Sequence, residues 1–349
     1  MLKKMECGSA CNGHVAAGCE HCINGSKMVL LVTGQCKWNC YYCPVSLEKK
    51  GLDVIYANEA RVSTDEEIIG EAESMDATGT GITGGDPLLD LNRTVHMIEL
   101  LKSRFGKDHH IHLYTATIDP EKVSKLEEAG LDEIRFHPMV SMWDHMQDTK
   151  LKEIMESTGM DVGIEVPAIP GKEDELSAMI SYATSIGIGF INLNELEFSE
   201  SNWDMMAEYG YEVKDDISSA VKGSFETAIA VMKRNKKANI HFCASAFKDG
   251  VQLRRRLIRR AEHICTDYQA VTDDGTLVRG YVYSDDLDKV VEKLRELDVP
   301  DSLFLVLENK VEVAPWVLED IADELGFKCY ISEQYPTSDG LEVERTPLN

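Results

Sequence analysis

No apolar run in this chain of 349 residues approaches the ~20 positions needed to cross a bilayer. The opening MLKKMECGSA lacks the apolar stretch of a signal peptide as well. No membrane role is expected, and the expected location is the cytoplasm. Positive charge is also scarce. Lys and Arg number 36 against 61 Asp and Glu, a net charge of −25, so the field of the whole chain repels nucleic acid and other polyanions. A local basic groove stays open. Internal repeats and low-complexity tracts are missing, which excludes solenoids. What remains is ordinary: 43% hydrophobic and 28% charged residues describe a globular protein, and the length suits two domains.

Cysteine is the exception. Ten are present, seven of them within the first 43 residues. A disulfide framework would spread its bridges over the fold, whereas clustering in a long intracellular chain points to metal and a reducing compartment.

Three of these thiols stand in Cys36-Lys37-Trp38-Asn39-Cys40-Tyr41-Tyr42-Cys43, directly after the apolar run from Met28 to Val32. A four-iron cluster takes one thiolate per iron, so three cysteines leave one iron open to bind a small molecule. A zinc knuckle short of one ligand and buried apolar cysteines are the plainer readings. Upstream, Cys7, Cys11, Cys19 and Cys22 lie among small residues that build no core of their own. Four thiolates around a second centre would stabilise such a segment. That centre is either an auxiliary [4Fe-4S] cluster, open to an electron-relay role, or zinc.

Residues 28 to about 200 alternate apolar runs with amphipathic helices, the pattern of βα units and a parallel sheet. Strands are expected at 28–33, 79–84, 110–116, 133–138, 161–169 and 190–197. Helices are expected near 64–77, 92–105, 119–129, 141–157 and 173–186, with a capping box at Thr64 and Glu67. Further on come a helix at 217–235, a strand at 239–245 and a helix at 249–264. The remainder reads βαββαβ, a ferredoxin-like order. Three segments follow: a cysteine-rich stretch at 1–27, a partial barrel at 28–265 and a C-terminal α+β domain at 266–349.

Period two along each strand nominates the residues facing the barrel lumen. They are His112 and Tyr114, Arg135 and His137, Glu165, and Asn192 and Asn194. A packed barrel interior is mostly branched aliphatic, so a lumen this polar is a ligand site. Singly, each of these residues reads as a satisfied core polar group. Thr83-Gly84-Gly85-Asp86-Pro87 closes the second strand; its glycines let backbone approach a ligand, and Asp86 offers an acceptor to an ammonium. Alone, the segment reads as a tight turn. One basic patch, the helix carrying Arg254, Arg255, Arg256, Arg259 and Arg260, suits either a solvated face or a phosphate-bearing substrate gripped by Arg255 and Arg259.

The pattern Cys-x3-Cys-x-Tyr-Cys, with Tyr42 before the third cysteine, resembles the cluster loop of the radical SAM enzymes. The Gly84-Gly85-Asp86-Pro87 segment is similar to that family's Gly-Gly-Glu-Pro turn, with Asp shortening the reach by one methylene. Gly163 to Gly171 is similar to the stretch that lies against adenine and ribose. Over residues 1 to 349 the chain resembles an uncharacterised, mainly archaeal group related to pyruvate formate-lyase activating enzymes. The resemblance implies an α/β fold with a partial (βα)6 TIM-like barrel. It implies a [4Fe-4S] cluster and S-adenosyl-L-methionine (SAM) as cofactors, and a reductant such as ferredoxin or flavodoxin. It also implies reductive cleavage of SAM to a 5′-deoxyadenosyl radical that takes hydrogen from a substrate. Three function classes remain on the residues: modification of RNA or protein, a step in small-metabolite or cofactor synthesis, and a non-catalytic iron–sulfur or zinc protein.

Overall fold

The computed structural model describes residues 2–349. In chain order its elements are β1 (Lys3–Lys4), β2 (Ala10–Asn12), α1 (Ala17–Ile23), β3 (Lys27–Leu31), β4 (Ile55–Ala57), β5 (Ala60–Val62), α2 (Asp65–Ser74), β6 (Gly79–Thr83), α3 (Leu91–Phe105), β7 (His110–Thr115), α4 (Pro120–Glu128), β8 (Glu133–Phe136), α5 (Leu151–Ser157), β9 (Asp161–Ala168), α6 (Glu173–Ser185), β10 (Phe190–Glu195), α7 (Trp203–Glu208), α8 (Ser224–Arg234), β11 (Ile240–Cys243) and α9 (Ser245–Phe247). After a π-helical turn at Lys248–Leu253 come α10 (Arg254–Ile264), β12 (Ala270–Val271), β13 (Leu277–Tyr283), α11 (Leu287–Glu296), β14 (Phe304–Val306), β15 (Val311–Val313), α12 (Pro315–Leu325), β16 (Lys328–Gln334) and β17 (Glu342–Pro347).

The chain divides into two compact units, Met1–Ala72 with Ala77–Leu253, and Glu73–Asp76 with Arg254–Asn349. In the first, an eleven-stranded sheet runs β1-β2-β11-β10-β9-β8-β7-β6-β3-β4-β5. Its seven central strands, β3 and β6 to β11, pair in parallel. Six of these match the expected barrel strands, and β11 adds a seventh. Ile111, Leu113, Ile134, Phe136, Ile164 and Val166 are buried against the helices, which turns the intervening polar positions inward. Local signals hold the helices as their sequence dictates. Glu67 N–H donates to Thr64 Oγ1 while the Glu67 carboxylate accepts from Thr64 N–H, a reciprocal capping box. Asp119 caps α4 ahead of Pro120.

The segment 1–27 is not a separate appendage. β2 pairs antiparallel with β11, through Asn12 to Ile240, Cys11 to His241 and Ala10 to Phe242, so it extends the barrel sheet at one edge. Helix α1 lies inside, with Gly18 N–H donating to Glu133 on β8 at 3.0 Å. Helix α5 is also shorter than the expected 141–157. Two 3-10 turns precede it, and there the buried Trp143 indole donates to Pro138 O at 3.0 Å.

The second unit carries a sheet in the order β14-β15-β13-β16-β17, antiparallel throughout. The order of β13, β14, β15 and β16 with α11 and α12 is the ferredoxin-like one. Its core gathers Val282, Val290, Leu294, Val311, Leu318 and Leu325. The arginine helix α10 belongs here, so the observed division falls at 253/254 rather than at the expected 265/266. Buried Leu257 and Ala261 and the backbone of Ile258, against which Gly275 packs too closely for a Cβ, place it in the second unit. Among the described residues, no helix is long and apolar enough to cross a membrane.

Candidate active site

The loop after β3 carries Cys36, Cys40 and Cys43, and the turn after β6 is zipped to it. Gly85 N–H donates to Thr33 O at 2.8 Å, and Asp86 N–H to Gln35 O at 2.9 Å. Glycine is required for this approach. A Cβ on Gly85 would stand 2.2 Å from Gln35 O, and one on Gly34 would stand 1.6 Å from Lys49 O. The loop is clamped from the other side by the segment after β10. Asn202 Nδ2 donates to Tyr42 O and Ser201 Oγ to Cys43 O, each at 3.1 Å, while Tyr209 stacks on Tyr41 with centroids 4.2 Å apart.

Together these segments enclose a cavity of about 550 Å³, within the usual range for ligand sites. Its lining includes all three loop cysteines with Tyr42, Gly84, Gly85, Tyr114, His137, Glu165 and Asn194. Burial pushes the Cys40 thiol up to about 11 and raises Cys36 too; coordination to a metal centre would reverse this, because the ligand is the thiolate. The His137 ring is fixed at both nitrogens. Its Nδ1 meets Glu165 O at 2.7 Å and its Nε2 meets Tyr42 Oη at 3.0 Å. Burial lowers its pKa. A neutral ring donating from Nδ1 therefore accepts the tyrosine hydroxyl at Nε2.

Beneath the cavity the remaining lumen residues form a hydrogen-bonded network. Arg135 Nη1 donates to Glu165 Oε2 at 2.8 Å and to Tyr114 Oη at 3.1 Å, and Nε donates to Glu133. Asn192 and Asn194 each donate to Glu165 at 2.9 Å. Burial alone would raise Glu165, but the guanidinium and the two amides outweigh it and hold the carboxyl below its usual value. His112 is fully buried beside Lys27 and Tyr114. His112 and Asn192 therefore support the site from below and do not line it.

Asp86 departs from the sequence reading most clearly. Its side chain is wholly buried and absent from the cavity lining. Oδ1 accepts from Thr115 Oγ1 at 2.7 Å and Leu88 N–H at 3.1 Å; Oδ2 accepts from Thr117 Oγ1 at 2.6 Å and Trp38 Nε1 at 3.0 Å. With four donors in place, the carboxylate has no site left for an ammonium. It ties the cysteine loop, through Trp38, to β7. The shorter side chain explains this, since it is held back against its own sheet.

Glu195 went unnoticed in the sequence because it breaks the period of two. It lines the cavity, accepts from Ser245 N–H at 2.8 Å, and has no hydrogen bond on Oε1 among the described residues. Lys214 Nζ lies 3.5 Å from that oxygen. Glu197 and Lys248, an ion pair, also line the wall.

Arg255 and Arg259 do not line the cavity. Arg259 pairs with Asp76 and donates to Met75 O and Asp76 O. Arg254 binds Asp274 and Asp273 O, and Arg260 binds Pro336 O. Arg254, Arg259 and Arg260 thus have protein partners within their own unit. Cys7, Cys11, Cys19 and Cys22 likewise lie off the cavity wall.

A three-thiol loop opening on a cavity at the carboxyl ends of parallel barrel strands defines the class. The model of the radical SAM superfamily matches residues 30–139, and a domain of unknown function matches residues 275–348. The chain belongs to the radical SAM superfamily. It is 42% identical, over 95% of its own length and 92% of the relative's, to a protein of Methanocaldococcus jannaschii named as a candidate glycyl-radical enzyme activating enzyme. Among solved structures it is similar to methylornithine synthase (TM-score 0.41, 13% identity, 61% of this chain and 63% of that one). It is similar also to HydG, a maturase of the [FeFe]-hydrogenase (0.42, 16%, 70% and 65%), and to Streptococcus suis SuiB with bound SAM (0.38, 12%, 63% and 50%). The chain spans less than two thirds of the length of each of these solved proteins. This is a radical SAM enzyme, and its cofactors are a [4Fe-4S] cluster and SAM. The site is chemically suited to both: three soft thiol donors on one loop, a close-packed glycine turn, and a buried carboxylate oxygen left without a hydrogen bond.

Proposed function

We propose that this enzyme removes a hydrogen atom from a glycine α-carbon of a partner protein, with Cys36, Cys40 and Cys43 holding the cluster and the cavity above them holding SAM. When bound, the cluster, reduced by one electron from a donor such as ferredoxin or flavodoxin, would supply reductive cleavage of SAM to methionine and a 5′-deoxyadenosyl radical, which becomes 5′-deoxyadenosine on taking the hydrogen atom. The protein positions and shields. Tyr42 and His137 brace the loop, Gly84 and Gly85 admit the cofactor backbone-close, and Glu195 Oε1 offers the acceptor for its ammonium that Asp86 does not. Glu165 and Asn194 hold the cavity floor.

The observation that carries the substrate class is the surface beside the cysteine loop. Trp203 and Tyr209 are 51% and 63% exposed, on the same segment whose Ser201 and Asn202 grip Cys43 and Tyr42. Exposed aromatics on the segment that grips the cysteine loop suit a protein partner better than a small solute. The relative's name points the same way. A cavity that must take cluster, SAM and the reacting carbon favours a slim group presented on a loop, and glycine is the slimmest.

The test uses extract from cells of the same species grown on α-deuterated glycine, separated into protein, RNA and small-molecule fractions. Each fraction is given to the anaerobic holoenzyme with SAM and dithionite. Deuterium should enter 5′-deoxyadenosine with the protein fraction alone. Transfer from the RNA or small-molecule fraction, or stimulated cleavage with no deuterium from protein, refutes the reading.

A further inference from the structure

The fold separates the four N-terminal cysteines and brings a fifth to three of them. Cys11 sits on β2, between Lys3 of β1 and His241 of β11 in the sheet register. Cys19 and Cys22, three residues apart on α1, share a helix face. Cys19 Sγ accepts from Asn192 Nδ2 at 3.2 Å. Two residues along β10, Asn194 is the register partner of Cys243 on β11. Asn192 and Asn194 both donate to Glu165 at 2.9 Å, so Cys19, at Asn192, and Cys243, beside Asn194, flank one short stretch of β10. The π-turn after α9 joins the last member. Gln252 Nε2 donates to Cys243 Sγ at 3.5 Å, and a Cβ on Gly250 would stand 3.5 Å from Cys7 Sγ.

Polar atoms here are left unmet. Asn192 Oδ1 and both ring nitrogens of His241, which is 2% exposed, have no hydrogen-bond partner among the described residues. Buried polar atoms are ordinarily bonded, so a group is missing from their surroundings. Among the described residues no three His, Cys, Asp or Glu side chains stand at the spacing of a single metal ion, the Cys36–Cys43 loop included. A four-iron cluster asks for something wider, one thiolate at each of four irons.

We propose that Cys7, Cys19, Cys22 and Cys243 hold a second four-iron cluster beside β10 and β11, and that Cys11 stands outside its ligand set. The cluster would back onto the active site, because Asn194, the register partner of Cys243, lines the catalytic cavity. It is placed to take one electron from an external iron–sulfur or flavin donor and hand it on to the Cys36–Cys43 cluster. The proposal rests on the cysteine geometry and is independent of the substrate.

Iron and sulfide are counted after anaerobic reconstitution of the full chain. Wild type should carry about eight irons, and Cys36→Ala/Cys40→Ala/Cys43→Ala about four, one cubane being lost. Cys243→Ala should carry about four and keep the visible spectrum of the loop cluster, which shows that it folds. Joined to the triple variant, it should carry none. Cys11→Ala should keep about eight. Full iron in Cys243→Ala, loss of a cluster in Cys11→Ala, or a triple variant holding zinc or no metal overturns the assignment.

Discussion

Replacing Asp86 with Asn separates two roles for that residue. The carboxylate accepts four hydrogen bonds, from Trp38, Leu88, Thr115 and Thr117. An amide keeps the shape but offers one acceptor oxygen, so two donors lose their partner inside the protein. Bonds to a charged acceptor contribute about 1.5–3 kcal/mol each, so the loss is about 3–6 kcal/mol. Against a total stability of roughly 5–15 kcal/mol that is a large share. Guanidinium unfolding of the metal-free protein, with iron retention measured on the reconstituted protein, reads it directly. Asp86→Asn should unfold at clearly lower denaturant and hold the loop cluster poorly. Trp38→Phe, which removes one donor, should lose about half as much stability and show the same leak of iron. If Asp86 instead gripped the SAM ammonium, stability and iron would stay near wild type and only the KM for SAM would rise. That result would refute the account of Asp86 as the tie on the cysteine loop.

Acid should weaken the fold through His109. Burial, with Lys102 adding to it, pushes this imidazole down to about 4, while a histidine of the unfolded chain titrates near 6.5. The unfolded state therefore takes the proton first, and stability falls as pH drops from about 6.5 toward 4, by about 2 kcal/mol for this group at pH 5. Unfolding curves at pH 7 and pH 5 should show a smaller drop in His109→Gln than in wild type, and an equal drop counts against it. Arg259→Glu should cost at most about 1–2 kcal/mol, since its partner Asp76 is exposed and such pairs contribute little. Filter binding of total tRNA near 0.15 M salt should show no retention of wild type or variant. Salt-sensitive retention abolished by the variant would restore a nucleic-acid substrate.

The parts of this molecule legible in its sequence are those set by neighbours in the chain. The spacing of Cys36, Cys40 and Cys43, the capping box at Thr64 and Glu67, and the period of two that turns Tyr114, Glu165 and Asn194 inward all act over a few residues. The rest depends on partners far away. The donors that turn Asp86 from the cavity include Thr115 and Thr117, about thirty positions on, and the carboxylate that takes up Arg259 is Asp76, on another segment. Cys19 reaches Asn192 on β10 only because α1 enters the barrel, and Cys243 stands beside Asn194 only through the pairing of β10 with β11. No local pattern marks such contacts, and the sequence grouped Cys11 with Cys7, Cys19 and Cys22 because they are neighbours in the chain.

The central claim is that Cys36, Cys40 and Cys43 hold the cluster at which SAM is reduced. The most direct measurement is 5′-deoxyadenosine formed from SAM under anaerobic dithionite by the reconstituted chain, beside Cys36→Ala/Cys40→Ala/Cys43→Ala prepared in parallel. The account predicts steady product from wild type and none above the enzyme-free blank from the triple variant, even if that variant retains its second cluster. Product from the two proteins at equal rates, or from neither, would contradict it.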